Sequence, residues 1–317
     1  MFRTLHTISR PVRRHGRAFT IVELLVVIGI VGLLLALLFP ALRAIKTASR
    51  QSTEAGAAKQ LMAAYVNYAA VHDDKVLPGY AGQIPVDPGP NDPVRVLRAF
   101  DAAGKSISGS GNPPLDIARK RYLWRLAPYF SYNLRGLYTN EQDELLERLE
   151  QTDYKTYLYL ASIAPALGLN SEWMGGDEEY GFRPIGHIYR SVIDYNQYYL
   201  TSIAQGFHPS KLLVFASARG IDPESQSTAP VEGYFKVQSP YFAEINPACR
   251  WSENFIAGEA PVRYGYISPR YGGNVVIGFL DGHADVLTQE KIRDMRYWAN
   301  WATKEDWRLP RPAPDVP

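Results

Sequence analysis

The sequence predicts an α+β fold in which a long N-terminal transmembrane helix packs on a C-terminal domain of antiparallel β-sheet with added helices. Three patterns predict it. Residues 19–39, FTIVELLVVIGIVGLLLALLF, form an apolar run with a single charge, Glu23. Beyond that run, Ala58, Leu61, Met62, Tyr65 and Ala69 recur at three- and four-residue spacing, the period of one helix face. Near the C-terminus, residues 275–280 and 284–287 flank Asp281-Gly282, a favoured two-residue hairpin turn. The expected layout is a basic leader over 1–18, a transmembrane helix over 19–39 and an extramembrane continuation over 40–72. A globular domain over 73–307 and a Pro-rich tail over 308–317 follow.

The leader holds Arg3, Arg10, Arg13, Arg14 and Arg17 and no acid, whereas the whole chain carries only +2. The rest therefore has 29 basic against 32 acidic side chains, a slight negative excess. With the basic bias confined to the leader, no patch on the body argues for nucleic acid as a partner. A length of 317 residues with 46% hydrophobic side chains suits a globular domain plus an appendage.

The apolar run spans about 30 Å as a helix, the thickness of a bilayer's hydrocarbon core. It is too long for an ordinary secretory signal, and Pro40-Ala41-Leu42 leads into more helix rather than a cleavage site. The arginines before it hold that end in the cytoplasm and place the bulk of the chain outside. Glu23 is costly there: a carboxylate within a span is worth about 2.5–3.5 kcal/mol on insertion scales, so it needs a partner. No basic residue lies within the segment. The partner comes from another chain, or from an amine created by cleavage nearby.

The octapeptide Ala18-Phe19-Thr20-Ile21-Val22-Glu23-Leu24-Leu25 resembles the prepilin processing motif of type IV pilins and type II secretion pseudopilins. The resemblance implies a pilin-like fold and cleavage between Ala18 and Phe19 by a prepilin peptidase, followed by N-methylation of Phe19. It also implies pairing of Glu23 with the new amine of a neighbouring pilin-like subunit, and a helix bend at Pro40. Ala18 stands where that motif usually has Gly. The implied location is the inner (cytoplasmic) membrane, single-pass, with the domain periplasmic or extracellular.

Helix is expected to continue over 41–72, about 75 Å from residue 19 in all, and to end before the Gly/Pro-rich stretch that runs to about residue 93. Gln51, Glu54, Lys59 and Gln60 read as its polar side. Residues 104–114 read as a loop, 115–130 and 140–166 as helices, and 185–200, 212–217 and 231–243 as strands. Arg270-Tyr271-Gly272-Gly273 and the hairpin with Asp281-Gly282-His283 resemble the C-terminal signature of a pilin-like family abundant in planctomycetes. Tyr271 stands where that signature has a His. The two resemblances cover about residues 16–80 and 260–300.

No catalytic constellation is visible. The six histidines lack the two-His helical spacing of a metalloprotease, and no Gly-x-Ser-x-Gly elbow occurs. The lone Cys249 rules out an intrachain disulfide. No cofactor is expected. Calcium is the one cation for which oxygen groupings exist, in Asp281, His283 and Asp285 and in Glu172, Asp177, Glu178 and Glu179. The plainer reading is that Asp281 serves its turn and the others are solvated. The function expected is a non-enzymatic subunit of a type IV pilus-like or type II secretion pseudopilus assembly. The alternative is a membrane-tethered binding module that does not polymerise, with Trp173, Tyr180, Tyr198 and Tyr199 as glycan-stacking candidates.

Overall fold

The computed structural model describes residues 20–80, 99–107, 113–134, 136–138, 140–177, 199–221, 229–242 and 248–310. The expected strand over 185–200 lies almost wholly outside them, as do Glu178, Glu179, Tyr180 and Tyr198. Two compact units divide the chain at residues 48 and 49.

The first unit contributes the opening of helix α1 (Ile21–Val71). From Ile21 to Ile45 its large apolar side chains are exposed, Ile21 at 80% and Leu37 at 69%. Among the described residues this is the one helix long and apolar enough to cross a membrane, judged by length and composition. Pro40 lies inside α1, with helix assigned on both sides of it. Its missing N–H leaves the carbonyl of Ala36 without the usual intrahelical donor.

The second unit is α+β. A four-stranded antiparallel sheet runs β1 (Leu167–Leu169), β2 (Leu213–Ser217), β5 (Asn274–Phe279), β6 (Ala284–Thr288). A separate pair joins β3 (Arg219–Ile221) and β4 (Pro230–Glu232). The helices between α1 and β1 are α2 (Pro113–Lys120), α3 (Tyr122–Leu126), α4 (Asn140–Thr152) and α5 (Tyr154–Ile163). A break at Arg121 divides the expected 115–130 helix, whose last turn, Ala127–Phe130, is a 3-10 helix. Asp153 divides the expected 140–166 helix by capping α5, its carboxylate accepting the Thr156 N–H at 3.2 Å.

β5 is buried on both faces, and its alternation sorts side chains into two cores. Val276 faces the core containing Ala58, Leu61, Met62 and Tyr65 of α1. Val275, Ile277 and Phe279 face a second core with Trp251, Met295 and Trp298. The face of α1 that the spacing picked out is buried as expected, with Leu61, Met62 and Tyr65 fully enclosed. Close approach of α1 explains Gly278: a Cβ there would lie 2.8 Å from Met62 Cγ.

The connection between β5 and β6 differs from the expected two-residue turn. Gly278 pairs with Ala284, and the Phe279 N–H donates to the His283 carbonyl at 2.9 Å. The loop is therefore the three residues Leu280, Asp281 and Gly282. The Gly282 N–H closes a turn on the Phe279 carbonyl at 2.9 Å, and Gly282 takes φ +95°. A turn followed by a left-handed residue is the usual three-residue hairpin solution, so glycine stands at its third position rather than its centre.

Candidate functional site

Ala18 and Phe19 lie outside the described residues. Glu23 lies in the first turn of α1, where its carboxylate Oε2 accepts the Thr20 N–H and the Thr20 hydroxyl, both at 2.9 Å. The Glu23 N–H in turn donates to Thr20 Oγ1 at 3.2 Å. This is a reciprocal capping box, which satisfies donors that a helix N-terminus otherwise leaves open. Glu23 thus has partners in its own chain. Thr20-x-x-Glu23 is the spacing that signals such a box, so these partners were legible in the sequence.

A second polar site is buried in the soluble unit. Glu54, read above as part of the polar side of α1, is 5% exposed. Its Oε1 accepts the Ser217 hydroxyl and its Oε2 the Tyr271 hydroxyl, each at 2.5 Å. Arg270 Nε lies 3.6 Å from the same carboxylate. The Arg270 guanidinium also pairs with Glu232 at 3.1 Å and donates to the carbonyls of Ala166 at 2.7 Å and Ala218 at 2.9 Å. Ser217 Oγ accepts the Val276 N–H at 2.9 Å, which ties the cluster into the central strand. A carboxylate taken out of water is costly unless it is both paired and hydrogen-bonded, and Glu54 has both. Burial, with the Glu54 carboxylate beside it, pushes the Tyr271 phenol well above its ordinary range. The hydroxyl therefore stays protonated and donates.

Tyr271 thus packs just before β5 and reaches across to α1. Asp281 holds the turn: its Oδ1 accepts the His283 N–H at 3.1 Å and contacts His283 Nδ1 at 2.5 Å. The His283 ring stacks on Phe279, with centroids 4.5 Å apart. Tyr271 and Asp281-Gly282 therefore act at different places, Tyr271 on the helix and Asp281-Gly282 on the turn.

The acidic residues weighed for calcium that lie among the described residues have other partners. Glu172 is bidentate with Arg250, at 2.8 and 2.7 Å. Asp177 accepts the Ser171 hydroxyl at 2.9 Å and pairs with Lys236 at 3.5 Å. Asp285 uses its carboxylate on the Val286 N–H. Among the described residues no group of three or more His, Cys, Asp or Glu side chains is placed to hold a metal ion. Two of the aromatics considered for glycan stacking are buried instead: Trp173 is 1% exposed and Tyr199 is 8% exposed. Trp173 packs on Phe242 and Trp307, so those rings belong to the core.

Residues 13–39 match the family model described as the prokaryotic N-terminal methylation motif. No curated protein and no solved structure matches the chain. The chain thus carries a prepilin-type N-terminus, and together with the apolar start of α1 this fits a membrane-anchored protein. The match covers the end of the leader and the apolar run, and residues 1–12 and 40–317 lie beyond it.

Proposed function

We propose that this chain is a non-enzymatic prepilin-like subunit, cut by a prepilin peptidase between Ala18 and Phe19, methylated on Phe19, and built into a type IV pilus-like or type II secretion pseudopilus assembly. The observation that carries this reading is the methylation motif over residues 13–39, which runs directly into an exposed apolar helix. The five leader arginines support an N-terminus in the cytoplasm and a domain outside the inner membrane. Removal of the leader puts a cationic amine on Phe19, one residue before the capping box. Both Thr20 donors use Glu23 Oε2, which leaves Oε1 open to the amine of a neighbouring subunit. Leaving either charge unpartnered in an apolar setting costs far more than losing an exposed ion pair.

Processing is tested by the mass of the N-terminal peptide from purified membranes. The expected species begins at N-methylated Phe19. An intact Met1, or a cut beyond Pro40, overturns the reading. Ala18→Gly should keep or raise processing, and Ala18→Glu should abolish it.

A further inference from the structure

Residues 24–42 carry no charge, and the first charged side chains beyond Glu23 are Arg43 and Lys46. Both are exposed, on an unbroken stretch of α1 that lies wholly in the first unit. Three residues apart on a helix, they stand about 60° from one another and share one face. Ala41, Ile45 and Ala48 fall on the opposite side, where Ile45 is 65% exposed. The turn after the apolar run is therefore two-sided, basic on one flank and apolar on the other.

The depth of that turn is set by helix geometry. Counted from Phe39, where the apolar run ends, Arg43 lies about 6 Å further along the axis and Lys46 about 10 Å. The polar headgroup layer is about 5–7 Å thick on each side of the hydrocarbon core. Side chains on a helix lean towards its N-terminus, so both long side chains reach back towards the span. Their charged heads then lie at the level of the lipid phosphates, while their methylene stems cover apolar surface. Arginine matches two phosphate oxygens with its planar fork, and lysine adds a compact point charge beside it.

We propose that Arg43 and Lys46 form a binding face for anionic phospholipid headgroups, in the leaflet that faces the soluble unit, and so hold α1 at a fixed depth. The proposal rests on the reading of α1 as a membrane anchor and is independent of cleavage, methylation and assembly. The occupant is identified by charge and position: the face is cationic, and the apolar run places it in the layer where lipid phosphates lie. Removal of the leader would take away all five arginines that precede the span, leaving this face as its nearest basic side chains.

The test uses the full chain in bilayer discs, which leave both membrane faces open to reagent. One set contains phosphatidylcholine alone, and the other phosphatidylcholine with one quarter phosphatidylglycerol. Lys46 is acetylated by an amine-reactive ester, and its rate is read by peptide mass against Lys59, which is exposed thirteen residues further along. An ammonium held on lipid phosphate reacts slowly. Phosphatidylglycerol should slow Lys46 about fivefold relative to Lys59, the factor expected for one basic side chain at an anionic surface. Added salt should erase the difference. Arg43→Gln lies on an exposed face outside both cores, and it should reduce the protection of Lys46 because the headgroups are shared. Equal rates in the two discs overturn the proposal, whether Lys46 is open in both or covered in both by a second copy. A slowing that Lys59 shares, or one that Arg43→Gln leaves intact, also overturns it. A chain that does not enter the discs at all sinks the anchor reading and the proposal with it. Entry with equal rates sinks the proposal alone.

Discussion

Glu54 occupies the helix face that meets the sheet, where an unpaired carboxylate would cost several kcal/mol. It is tolerated because Ser217 and Tyr271 each give it a short hydrogen bond and Arg270 supplies charge. Tyr271→Phe removes one donor and keeps the ring. It should cost about 1.5–3 kcal/mol, the range for a hydrogen bond to a charged group, read from tryptophan-monitored unfolding of the detergent-solubilised chain. Glu54→Gln should be coupled to it, so that the double variant loses less than the sum of the two. Strict additivity would show that the Tyr271–Glu54 contact contributes nothing of its own. Glu54 was legible in principle: Glu54, Ala58, Leu61 and Tyr65 follow the same spacing as the apolar stripe. Its neighbours Gln51, Lys59 and Gln60 concealed it, since composition alone places a glutamate with them on the wet side. The partners were hidden for a different reason. Ser217 and Tyr271 lie 163 and 217 residues away, and only the packing of α1 on the sheet brings them together.

At the scale of an element, the β5–β6 hairpin is the segment whose sequence and structure agree most closely, and its turn shows what pattern reading leaves out. Alternation located both strands to within a residue. The loop length depends on which pair closes the ladder, and Asp-Gly occurs in both two- and three-residue solutions. The open space around Gly282 means its requirement is conformational: a Cβ there would meet nothing within 4 Å, but φ is +95°. Gly282→Val should therefore cost on the order of 1–3 kcal/mol through backbone strain rather than clash. An unchanged melting temperature would remove the left-handed assignment. Asp281 predicts how the hairpin responds to acid. Burial alone would raise its pKa, but the His283 side-chain and backbone hydrogen bonds outweigh that and hold it below the ordinary carboxylate value. Its contribution is present above the unfolded value of about 3.9 and is lost as pH falls through the lower folded value. The gap in melting temperature between wild type and Asp281→Asn should be widest near neutrality and close in acid. A gap that persists unchanged in acid assigns the effect to packing instead.

At the scale of the whole molecule, the two units obey different solvents. The soluble unit buries its apolar side chains in two cores, whereas the first part of α1 leaves Leu24, Leu33 and Leu38 exposed along its length. Such a surface is stable only against lipid or against other apolar helices. Glu23 is where those two surroundings differ most. Its carboxylate has the capping box in its own chain, and under the proposed assembly it also meets the Phe19 amine of a second processed chain. The capping role and the charge-pairing role are separable by chemistry. Glutamine serves a capping box as well as glutamate does, so Glu23→Gln keeps the helix start and removes only the charge. Alanine and leucine remove both. If Glu23 acts through the amine, all three variants should insert into the membrane at least as well as wild type, because a charge has been removed from the span. All three should also lose the cross-linked oligomer ladder of the processed protein. If Glu23 acts only as a cap, Glu23→Gln should retain the ladder while Glu23→Ala and Glu23→Leu lose it. The comparison is made on chains whose N-terminal mass confirms cleavage after Ala18, since an unprocessed subunit has no amine at Phe19 to pair. A ladder identical across wild type and all three variants removes Glu23 from docking, and the exposed face of α1 would then have to find its neighbours by packing alone.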